Sequence, residues 1–207
     1  ATSLDNAGWL CFVRGDYEAA GGRYDAALAI LDSAAAEDSD HRVALATVHS
    51  HLGPLNQELG RFSAARAHYE IALRTFISAL GSDDPRVAMS RNNLATLLVK
   101  VGDYAPALAH YRESMASLEG QLGSEHPLIA TSKHNQAELQ QRLGRFDDAV
   151  ELYRQALETK QRSLGTEHPS VALTLSNLSY LYTAIDEPAA ADTLARRALE
   201  IQQGALG

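Results

Sequence analysis

Only one cysteine, Cys11, stands among the 207 residues. An internal disulfide framework is therefore excluded, and the chain fits a reducing, cytoplasmic setting. Prolines number six and lie far apart, and aromatic residues make up only 6%; with abundant alanine and leucine, this composition suits helix packed on helix. Basic residues are outnumbered, 18 against 26 acidic ones, for a formal charge of −8. That balance argues against nucleic acid or an anionic membrane as the partner. No apolar run approaches the roughly 20 residues that span a bilayer.

The signatures of chemistry are missing as well. No strand is expected, so no serine sits in a strand-to-helix elbow, and Gly21-Gly22 is too short for a phosphate loop and follows no strand. Cys11 falls at a core-facing helical position. The eight histidines show no pair four apart with a glutamate between them, as a zinc helix requires. Neither an enzyme, a metal site nor a cofactor is expected.

What is present is repetition. Leu122-Gly123-Ser124-Glu125-His126-Pro127 returns 42 residues later as Leu164-Gly165-Thr166-Glu167-His168-Pro169, and Leu80-Gly81-Ser82-Asp83-Asp84-Pro85 fills the slot before. The terminal Leu206-Gly207 falls 42 beyond Leu164-Gly165. A fixed period of this length means stacked supersecondary units. With Gly15 as the loop glycine of the first unit, the series continues as Gly60, Gly102, Gly144 and Asp186. Offsets of 5, 9, 12 and 13 from that residue bring alanine, tyrosine and an apolar pair, as in Ala149, Tyr153 and Ala156-Leu157. Those offsets trace one face of a second helix in each unit.

Upstream lies a first helix, opened by Pro85, Pro127 or Pro169, where a missing N–H costs nothing. Its apolar stripe reads Leu94-Ala95-Leu97-Leu98-Val101 in the third unit. Gly81, Gly123 and Gly165 end the preceding helices. Ten helices in five hairpins follow, with units at roughly 1–40, 41–84, 85–126, 127–168 and 169–207. A rival register for the first unit uses Gly22 as its loop. The Gly15 register is preferred because it also aligns Asn6 and Gly8. Gly53-Pro54 falls inside a first helix and should kink it.

The order small residue, loop glycine, aromatic, alanine, tyrosine resembles the tetratricopeptide repeat. That repeat usually runs about 34 residues; the longer period here, with its Leu-Gly-Ser/Thr-Glu-His-Pro linker, resembles the repeats of kinesin light chain. The resemblance implies an all-α, right-handed α-solenoid, a single array whose first helices line a concave groove.

It also implies a site. Repeat position 6 reads Asn6, His51, Asn93, Asn135 and Asn177, where the family uses asparagine to hold the backbone of an extended peptide. An amide suits this task because it both donates and accepts; the alternative is an asparagine that ties neighbouring helices. Asn92 and His134 at position 5 and Tyr180 at position 9 add to the surface. Lys100 and Arg142 share a slot in successive units, either to hold one acidic residue or as ordinary solvated charges. Kinesin light chain reads acidic peptides with an aromatic anchor, and only part of its basic lining is present.

The expected function is a protein-interaction module binding a peptide or a partner helix. The alternative is a scaffold or sensor segment of a larger multidomain protein, self-associating through uncapped ends. The chain begins at Ala1 inside a first helix and stops in a linker signature, so a fragment of a longer chain is expected.

Overall fold

The computed structural model describes residues 1–33 and 38–205. Leu206-Gly207 lies outside the described residues, among which there are ten helices and no strand. They are α1 (Thr2–Val13), α2 (Tyr17–Ser33), α3 (Ser39–Glu58), α4 (Phe62–Leu80), α5 (Pro85–Lys100), α6 (Tyr104–Leu122), α7 (Pro127–Arg142), α8 (Phe146–Leu164), α9 (Pro169–Ala184) and α10 (Pro188–Gly204). The helices group into two compact units, residues 1–117 and 118–207.

Each hairpin turns the same way. Gly15, Gly60, Gly102 and Gly144 all have φ between 70° and 85°, a conformation in which a Cβ would crowd the backbone. The residue after each closes back on the first helix: Asp103 N donates to Leu98 O at 2.8 Å and Arg145 N to Gln140 O at 2.9 Å. This is the helix-terminating pattern that satisfies the last carbonyls. In the fifth hairpin Asp186 adopts φ 62° and keeps the same bond, Glu187 N to Tyr182 O. The first hairpin turns at Gly15, while Gly21 and Gly22 lie within α2, so the Gly15 register is the one adopted.

The linkers start helices. Asp84, His126 and His168 are N-caps, each accepting the backbone N–H two residues on, with proline in the first turn. The linker histidines thus lend Nδ1 lone pairs to helix ends.

In the first unit, Ala20, Tyr24, Ala27 and Leu31 of α2 share one core with Val48, Leu52 and Leu55 of α3. In the second, Ala137, Ala149, Tyr153, Leu178, Leu181 and Ala191 join all four helices α7–α10. Neither core belongs to one hairpin; each is completed by the next, at about 25 cal/mol per Å² of apolar surface buried.

Helix α3 runs unbroken through Gly53-Pro54, and Gly53 has a packing reason. A Cβ there would lie 2.2 Å from the Tyr69 ring, and one at Gly8 would lie 2.6 Å from the Tyr24 ring. Gly53→Ala is therefore expected to destabilise the protein by about 1–3 kcal/mol. Gly22→Ala, which adds a Cβ with nothing within 4 Å in an exposed helical turn, should stabilise by about 0.5–1 kcal/mol. Urea unfolding of both variants checks the pair; equal effects would contradict this packing.

Candidate functional site

In the second unit an open cleft of about 670 Å³ lies between α7, α8 and α9. Its walls include Glu138, Gln141 and Arg142 from α7, Phe146 and Tyr153 from α8, and Asn177 and Tyr180 from α9. Three sequence-predicted residues, Arg142, Asn177 and Tyr180, are thus brought together. Tyr180 is 69% exposed. Arg142 donates to Glu138 one turn back at 2.9 Å, so its charge already has a partner across the cleft wall.

The floor holds Tyr153, whose ring is buried and whose hydroxyl bonds the Asn177 side chain. Burial raises the phenol well above its usual range, keeping it neutral.

His134, expected on the groove, is buried at 6% exposure and sits behind Asn177. Its Nε2 lies 3.2 Å from Asn177 Nδ2 and its Nδ1 3.1 Å from Thr174 Oγ1, with the Tyr153 ring edge-on at 5.2 Å. Lys160, also buried, donates to Thr174 Oγ1 at 2.9 Å. Burial, helped by the Lys160 charge, pulls His134 down to about 4, and burial pulls Lys160 down to about 8. Asn135 is half-buried on α7.

The first unit builds its tyrosines the same way. Tyr69 donates to Gln57 Oε1, and Tyr111 hydrogen-bonds Thr96 at 3.0 Å. Asn92 and Asn93 are half-buried on α5. Lys100 lies over the Phe62 ring at 5.3 Å, held locally like Arg142. His51 is tied to α1: its Nδ1 is 2.7 Å from Asp5 Oδ1, and the Trp9 ring lies 5.2 Å away. Asp5 is buried, as is the unpartnered Tyr24 hydroxyl.

Sequence reasoning read the second-helix tyrosine as packing alone and passed over Asp5, Thr174 and Lys160. The signal available was tyrosine, not phenylalanine, at position 24 of four units, its hydroxyl set to reach a polar group.

Sequence profiles described as tetratricopeptide repeat match residues 44–120, 107–162 and 128–204, and a second of the same description matches 8–33. The chain belongs to the tetratricopeptide repeat family. Its all-α solenoid architecture agrees with solved structures. BtubC (BKLC) from P. vanneervenii is 24% identical, with TM-score 0.82 over 99% of this chain and 80% of that one. A kinesin-light-chain-type protein of nearly identical TPR-like repeats from Podosopora anserina is also 24% identical, with TM-score 0.75 over 99% and 95%. The Rap conjugation gene regulator of plasmid pLS20, in complex with the Phr* peptide, is 17% identical, with TM-score 0.78 over 97% of this chain and 53% of that one. At these identities the likeness is one of fold. No curated protein matches the sequence. Among the described residues of this tetratricopeptide chain, no helix is long and apolar enough to cross a membrane.

A buried neutral histidine sets a pH response. Between about pH 6.5 and 4 the unfolded chain binds a proton at His134 that the folded chain refuses, so stability falls as pH falls through that window. His49 adds to it, pulled to about 4 by burial and by His68. Thermal midpoints are expected to drop from pH 7 to pH 4.5, less steeply in His134→Gln. Equal slopes in both proteins would contradict the assignment.

Proposed function

We propose that this chain is a non-catalytic interaction module that binds an extended peptide or a partner helix along its first helices. The single observation that carries the reading is the cleft of the second unit. It offers apolar walls in Phe146 and Tyr180, and amide groups in Gln141 and Asn177. That combination suits a peptide backbone with one large side chain. Asn135 and, in the first unit, His51, Asn92, Asn93 and Lys100 extend the proposed contact set. Arg142 and Lys100, each engaged locally, set the rim rather than clamp an acidic ligand. The peptide-bound pLS20 regulator supports the reading by analogy of fold. We place the module in the cytoplasm.

The test is a synthetic peptide array probed with the purified chain. Binders are then measured against Asn135→Ala with Asn177→Ala and, as a control, against Arg196→Ala on an exposed face of α10. The double variant is expected to lose at least about tenfold in affinity, the range of one or two buried hydrogen bonds, and the control to keep it. The reverse pattern would overturn the groove assignment.

A further inference from the structure

Repeat position 31 is a core position in the first four repeats; in the fifth it is Gln202, exposed near the end of α10. Leu31, Phe76 and Leu118 occupy it in the first three units and are buried at 6%, 4% and 1% exposure. In the fourth unit the same position is Lys160, 4% exposed. Among the described residues no carboxylate pairs with it; its ammonium donates to Thr174 Oγ1 at 2.9 Å and to Ser170 O at 3.4 Å. A buried charge without a counter-ion is costly, and an apolar side chain of similar volume would be the more stable choice. The three sister units make that choice.

From Lys160 a line of polar groups leads to the cleft, all within the compact unit of residues 118–207. The Thr174 hydroxyl donates its one proton to Ser170 O at 3.0 Å and accepts from Lys160. His134 Nδ1 is 3.1 Å from the same oxygen, and His134 Nε2 is 3.2 Å from Asn177 Nδ2. An amide nitrogen only donates, so Nε2 accepts and the imidazole proton sits on Nδ1, donating to Thr174. A second proton on His134 would turn Nε2 into a donor facing a donor, and the Asn177 amide would have to flip.

We propose that Lys160 is a positioning residue for the cleft: its buried ammonium, one hydroxyl away from His134, adds to burial in keeping that imidazole a neutral acceptor and thereby helps fix the orientation of the Asn177 amide. The amide nitrogen serves both His134 and the Tyr153 phenol oxygen, which leaves Oδ1 as an acceptor for a ligand N–H such as that of a peptide backbone. This deepens, and for its ligand rests on, the reading of the cleft as a peptide site. Within this unit the titratable groups facing His134 are Lys160 and the Tyr153 phenol of α8, while α9 contributes the neutral Thr174 and Asn177. Burial acts first on the imidazole; the phenol stays uncharged, so Lys160 is the charge that adds to it.

The test is imidazole and side-chain amide NMR of the whole chain, titrated with acid, for the wild type, Lys160→Met and Lys160→Gln. Met supplies the apolar bulk that the sister units carry, and Gln keeps a polar group without charge, so one reports if the other fails to fold. In the wild type, His134 is expected as the neutral Nδ1–H form from pH 7.5 to pH 5, with Asn177 amide resonances constant. In either variant the His134 midpoint should rise toward the ordinary imidazole range, and the Asn177 resonances should move with it. A merely structural lysine would change the melting temperature and leave that midpoint in place. A variant midpoint equal to the wild type's, or a wild-type proton on Nε2, overturns the proposal. These readouts need no ligand, so an array that finds no peptide defeats the functional reading without touching this one.

Discussion

The first four hairpins depend on an aromatic ring lodged where the facing helix has almost no side chain. Tyr24 and Tyr69 lie against Gly8 and Gly53, whose absent Cβ atoms would fall within 2.6 Å of the rings. Ala95 and Ala137 hold the corresponding positions opposite Tyr111 and Tyr153, and all four rings are buried. A small residue on one helix lets the two backbones approach, and the ring then fills the space beside it. The glycine turns set the angle of approach, and the proline-led caps set where each first helix starts.

The choice of tyrosine over phenylalanine links packing to the site. The ring is spent in the core, and in three of the four repeats that carry it the hydroxyl meets a polar group on a first helix: Gln57 for Tyr69, Thr96 for Tyr111, Asn177 for Tyr153, whereas the buried Tyr24 hydroxyl has no partner. The residues that hold the fold therefore also orient the polar groups proposed to meet a ligand. In the second unit this arrangement surrounds a cleft, with buried His134, Thr174 and Lys160 behind its asparagine.

The periodic features were legible because each recurs. Turn glycines, proline starts, the alanine-tyrosine face and the helix count all follow from register, and even the asparagine column was visible. What register hides is which polar group a given unit buries. His134 meets Asn177 across 43 residues, and Asp5 meets His51 across 46; these are contacts between neighbouring repeats, set by individual substitutions rather than by the pattern. Lys160 was detectable in principle, as a charge in a column of leucine and phenylalanine. His134 was placed on the groove because position 5 was taken as exposed throughout, whereas Asp5 and His134 are both buried there.

If cores are completed only between hairpins, a single hairpin should not hold its shape. The most direct measurement is circular dichroism of the isolated α7–α8 segment, residues 127–165, against the whole chain under the same conditions. The account predicts a weakly helical segment with no cooperative thermal transition beside a chain that melts cooperatively. A segment that is fully helical and melts in one sharp step would contradict it.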